Sequence, residues 1–119
     1  MDKTRKINEF NSNTMVGYIG IEILVVGDIF VSGRMPVDER TTQPYGLLHG
    51  GASVAFAESL GSLAGSFHVD LKKVAVVGIE INANHLKSVR SGWVYGKATP
   101  VKIGKRIQVW NINLSLIHI

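Results

Sequence analysis

The segment GGASVAFAESLGSLAGSF, residues 50–67, decides the fold. Its length suits a helix better than a strand. It is apolar on nearly every side, as expected of a helix buried on most faces. Gly50, Gly51, Gly61 and Gly65 each lower helix propensity by about 1 kcal/mol relative to alanine. Close packing against a sheet would offset that loss. Glu58 is the only ionisable side chain in the segment. A carboxylate on a buried helix is costly unless it is paired, hydrogen-bonded or protonated. Burial also raises a carboxyl pKa towards the range useful in acid–base chemistry. At helical spacing Gly51, Val54 or Ala55, Glu58 and Ser62 share one face, which aims Glu58 along a stripe towards the helix start.

That start has its own chemistry. Gly50 and Gly51 place no side chain over the backbone, so first-turn N–H groups can reach a ligand. The helix dipole adds positive potential there. Donors aimed at developing negative charge are what a tetrahedral oxyanion needs, and His49 can donate one more hydrogen bond. On this reading an oxyanion binder and a carboxylate come within reach of one carbonyl. The plainer reading pairs Glu58 with a buried cation or puts it on an exposed stripe, and makes His49 a helix cap.

Outward from the helix the chain reads as strands. A short helix is expected near Lys6–Asn11. Ile21–Val26 is a β-branched run, and Gly27-Asp28 is a turn signal, so Ile29–Val37 completes a hairpin. Asp38–Leu48 is a polar loop. Val74–Asn84 alternates, with Ala75, Val77, Ile79, Ile81 and Ala83 on one face. Gly92–Thr99 and Lys105–Leu114 are two further strands about a turn at Pro100–Gly104. The order β-β-α-β-β-β predicts an α+β domain with the sheet wrapped around one long helix.

Composition sets the outer limits. The 119 residues make one domain. Mean hydropathy is +0.17, which hints that another subunit covers part of the surface. The net charge is +4, and eight of the 13 basic residues lie between Lys72 and Arg106. Such a half attracts an anion, either nucleic acid or a phosphate-rich small molecule. There is no cysteine, so disulfides, a thiol nucleophile and thiolate metal sites are excluded. Nothing has metal-ligand spacing. Met1–Phe10 lacks the apolar core of a secretory leader, and no apolar run reaches the roughly 20 residues that span a bilayer. A cytoplasmic protein is expected.

The stretch Gln43-Pro44-Tyr45-Gly46-Leu47-Leu48-His49-Gly50-Gly51, with Glu58 following on the helix, resembles the PaaI-like hotdog-fold thioesterases. Val77-Gly78-Ile79-Glu80-Ile81-Asn82-Ala83-Asn84-His85 and Gly104-Lys105-Arg106 with Gln108-Val109-Trp110 extend the likeness over about residues 15–113. Within the group the chain is most similar to hydrolases of 1,4-dihydroxy-2-naphthoyl-CoA, which serve menaquinone synthesis. The resemblance implies a long central helix wrapped by a curved antiparallel sheet. It also implies a homodimer or homotetramer with active sites built from two chains at the dimer interface.

Thioester hydrolysis follows from it, with coenzyme A as part of the substrate and no separate cofactor. By motif position Glu58 is the nucleophile or the general base, and the Gly50 N–H holds the thioester oxygen with help from His49. Gln43 orients water or the carbonyl, and Ser62 contributes from the same helix face. His85, Lys87, Arg90, Lys105 and Arg106 are candidates for the pantetheine and phosphate end of CoA. Where close relatives carry Arg two positions after the histidine, Lys87 keeps the charge without the bidentate fork. Val54, Leu60, Phe67 and Val69 suggest a hydrophobic acyl site. Members of the group continue past the Asn113 region into a final strand. Leu114–Ile119 has no turn signal, so a sheet lacking or altering that strand is expected.

Three other readings compete. A hotdog dehydratase would carry an HFPG-like loop, which is absent. A non-catalytic acyl-CoA binder would keep the fold without turnover. Nucleic-acid binding would need interleaved aromatics for stacking, which the basic half lacks.

Overall fold

The computed structural model describes residues 3–116. Helices α1 (Lys3–Asn11) and α2 (Met15–Tyr18) lead into strands β1 (Glu22–Val26) and β2 (Val31–Val37). Helix α3 (Gly50–Ser66) follows, then strands β3 (Gly92–Ile103) and β4 (Gln108–Ser115). The four strands form one antiparallel sheet in the order β1-β2-β3-β4, and α3 packs across it. This is the expected α+β arrangement. Among the described residues no helix is long and apolar enough to cross a membrane.

The core lies between α3 and the sheet. Phe56, Leu60 and Ala64 form one buried stripe of the helix, and they meet Ile23, Val31, Met35, Val94 and Ala98 from the strands. Burying side chains as large as Phe56 and Leu60 contributes roughly 1.5–3 kcal/mol each. Close approach is the reason for glycine in the strands here. A Cβ on Gly96 would lie 2.6 Å from Leu60 Cδ1 and 3.0 Å from Phe56 Cε2. The apolar character of α3 all round overstates its burial within one chain, because its remaining faces are only half covered.

At the far edge α1 covers β1. The Asn8 side chain bonds both backbone groups of Ile23, accepting from its N–H at 2.8 Å and donating to its C=O at 3.0 Å. This fills the outward hydrogen bonds of an edge residue next to a register shift at Leu24.

Two expected elements differ. The turn placed at Pro100–Gly104 is part of β3, which continues to Ile103. Pro100 is tolerated because β2 pairs only as far as Ala98 and the β4 register shifts just beyond it. The turn itself falls at residues 104–107, closed by Gly104 N–H to Ile107 O at 3.0 Å.

The strand expected over Val74–Asn84 is irregular chain without a ladder partner among the described residues. Its apolar face is open, with Val77 76%, Ile79 80% and Ile81 39% exposed. Alternation records two faces meeting different surroundings, but it does not provide the neighbouring backbone that makes a strand. Residues 117–119 of the expected C-terminal ending lie outside the described residues.

Candidate active site

The loop from Val37 to His49 is held from below by Thr41, which is 1% exposed. Its hydroxyl donates to Pro36 O at 2.7 Å and accepts from Asp38 N–H at 3.1 Å. A charge-assisted hydrogen bond from Arg40 holds the Asp38 carboxyl below its usual range. His49 N–H donates to Thr41 O at 2.8 Å, which closes the loop onto the helix start. Thr41→Val keeps the shape and removes the hydroxyl. We expect it to lower unfolding free energy by about 1–3 kcal/mol, read by chemical denaturation, because two backbone groups lose their partner.

Gln43 heads a tight turn, with Gly46 N–H to Gln43 O at 2.9 Å and Gly46 at φ +80°, a left-handed position suited to glycine. The Gln43 Oε1 accepts from Tyr45 N–H. That leaves its Nε2 donors for a ligand. The turn is tied to the chain that follows residue 84: Leu48 N–H donates to Val89 O at 2.7 Å, and Arg90 Nη1 donates to Tyr45 O at 3.3 Å. Arg90, expected at the phosphate end of CoA, therefore bonds the loop through one nitrogen.

His49 is the N-cap of α3, in extended conformation, and its Nδ1 accepts from Gly51 N–H at 2.7 Å. This leaves the proton on Nε2, so His49 keeps one outward donor. Gly50 is the first helical residue, and no carbonyl of the helix can take its N–H. A cleft opens at this point, lined by Gln43, Leu47, Gly50, Ser53, His85 and Lys87. The imidazole of His85 rests against the helix start, since a Cβ on Gly50 would lie 3.4 Å from His85 Nε2. The fold thus brings Gln43, Gly50, His85 and Lys87 together from distant parts of the sequence. Ser53, one turn into the helix and buried, was not expected here. Its three-residue spacing from Gly50 was the available signal.

Glu58 stands apart from this cleft. It is exposed within the chain, and among the described residues it has no ion pair or hydrogen bond. The burial argument for its carboxyl therefore does not hold within one chain. The expectation that Glu58 and the helix start reach one carbonyl together also fails within one chain. Eight residues of helix separate Glu58 from Gly50, about 12 Å along the axis, and the backward tilt of a side chain recovers only part of that.

Ser62 is half-buried one turn beyond Glu58. Ser59 and Ser66 bond helix carbonyls through their hydroxyls, while Ser62 has no such bond among the described residues. Leu60 is fully buried in the core and cannot line an acyl site. Phe67 is capped by Lys3, whose Nζ lies 4.6 Å from the ring centroid. Lys105 and Arg106 are exposed in the β3–β4 turn, outside the lining of the cleft. Among the described residues neither forms an ion pair.

Residues 45–116 match the model of the thioesterase superfamily. The chain is 48% identical to a 1,4-dihydroxy-2-naphthoyl-CoA hydrolase of Escherichia coli, over 91% of this chain and 79% of that one. A thioesterase crystal structure from Haemophilus influenzae superposes with a TM-score of 0.91 at 48% identity, covering 98% of this chain and 80% of that one. A Staphylococcus aureus protein at 35% identity superposes with a TM-score of 0.84, covering 86% of this chain and 84% of that one. It has been solved with a glutamate replaced by alanine, and also, described as a thioesterase enzyme, with a glutamine replaced by alanine. The two replaced positions lie fifteen apart in its sequence.

Proposed function

The chain belongs to the thioesterase superfamily and is a thioester hydrolase; from that premise we propose that it cleaves an aromatic acyl-CoA, such as 1,4-dihydroxy-2-naphthoyl-CoA, to the free acid and CoA. The observation that carries the reading is the cleft at the start of α3, where the Gly50 N–H has no helical acceptor and Gln43, His85 and Lys87 surround it. Support for an aromatic acyl group comes from the 48% identity to the Escherichia coli hydrolase.

In the proposed mechanism the thioester oxygen is held by the Gly50 N–H, with Gln43 Nε2 and His49 Nε2 as further donors. Charge developing on that oxygen is stabilised by these fixed dipoles and by the helix terminus. Glu58 then either attacks the thioester carbon itself, giving a mixed anhydride that water afterwards hydrolyses to the free acid, or takes a proton from a water whose oxygen attacks that carbon. In both routes the C–S bond breaks and CoA departs as its thiolate. Gln43 and Glu58 are themselves fifteen positions apart (58 − 43), the separation of the two residues replaced in the Staphylococcus aureus thioesterase. Ser62 presents its hydroxyl one turn from Glu58. His85 and Lys87 at the cleft meet the pantetheine and phosphates, and Arg90, Lys105 and Arg106, outside the cleft lining of one chain, are assigned to the phosphate end of CoA where it leaves the cleft.

The 12 Å helical separation is bridged in this proposal by a second copy of the chain, in a dimer or a tetramer. One copy contributes the helix start and the other contributes Glu58. The open apolar face of Val77, Ile79 and Ile81 is surface that such a partner would cover.

Free-thiol release from benzoyl-CoA, 1,4-dihydroxy-2-naphthoyl-CoA and acetyl-CoA tests the substrate class. The aryl thioesters are expected to have the higher kcat/KM. Equal or reversed rates would remove the aromatic assignment and leave the hydrolase.

A further inference from the structure

We propose that Gly78 is a positioning residue for the Glu58 carboxylate, a role that rests on the catalytic reading of Glu58 above. A Cβ on Gly78 would lie 2.7 Å from Glu58 Oε1 and 3.5 Å from its Cδ, and among the described residues it would meet nothing else within 4 Å. The backbone of Gly78 does not need glycine, because its φ is not positive. Glycine matters there for the space it leaves, and the carboxylate of Glu58 occupies that space. No hydrogen bond or ion pair among the described residues fixes Glu58, so this packing limits where its oxygens can sit. The contact ties α3 to the irregular segment after residue 73. Any side chain at position 78 would move the far end of a flexible glutamate and disturb little else.

Gly78→Ala should therefore leave the thermal midpoint and the oligomeric state of the full protein unchanged. It should lower kcat for benzoyl-CoA by about 10²-fold, the scale of a 1 Å misplacement of a reacting group, with KM little altered. Glu58→Asp shortens the side chain and makes room for the methyl group. In that background the alanine penalty should shrink sharply, a coupling that a merely structural role would not produce.

A crystal structure of Gly78→Ala should show the carboxylate displaced. An unmoved carboxylate, a kcat within about twofold of native, or the same penalty in both backgrounds would overturn the proposal. Glu58→Gln separates the two ideas. If it is inactive while Gly78→Ala is native-like, only the role of Gly78 fails; if it is fully active, the catalytic reading of Glu58 fails.

Discussion

Glu58→Gln lowers kcat for an aryl-CoA thioester by about 10²-fold or more, the scale of a lost general base or nucleophile. The substitution keeps the size of the side chain and one carbonyl oxygen, and it removes the anionic oxygen that attacks or takes a proton. Stability should hardly change, because Glu58 is exposed in the chain and has no ionic partner among the described residues. An unchanged thermal midpoint with lost turnover would assign the effect to chemistry. Turnover equal to native would leave a thioesterase that works without this carboxylate.

Gly50→Pro is the second large effect. Gly50 is the first helical residue, a position that proline favours. His49 before it has φ −69° and ψ 129°, which suits a residue preceding proline. The helix should therefore form normally while losing the backbone N–H assigned to the thioester oxygen. Removing such a donor costs about 10²–10³ in kcat. Gly50→Ala is the control, since it keeps the N–H and presses on the same His85 ring. A large loss in proline with a small loss in alanine identifies the N–H as the cause.

Mixing inactive Glu58→Gln and Gly50→Pro proteins after reversible dissociation then tests the two-chain site. If each site takes Glu58 from one copy and Gly50 from the other, roughly a quarter of native activity returns on random reassembly. A site within one chain would recover nothing.

The helix of residues 50–66 was legible because a mainly apolar stretch of that length with a single ionisable residue has few other solutions. The hairpin was legible because Gly27-Asp28 punctuates two β-branched runs. The helix start at Gly50 was legible too, and an N–H there without a helical acceptor follows from local helix geometry. The four-residue α2 carried no pattern to read. Pro100 looked like a turn because sequence does not reveal that β2 has already ended beside it. The charge that makes Arg90 a phosphate candidate is visible in sequence, whereas its bond to the Tyr45 carbonyl is visible only in the structure.

The sequence by itself determined the long helix and the order of strand-like runs from which an α+β fold follows, because each depends on spacing within a few turns of chain. Thioester chemistry entered through the likeness of its motifs to a known family. Only the tertiary structure decided that Gln43, His85 and Lys87 gather at Gly50, that Glu58 stands clear of them, and that Gly78 lies against its carboxylate. These are distances between residues far apart in the chain. They are set by how α3 lies on the sheet and where the loops close over it, and local spacing carries no term for either.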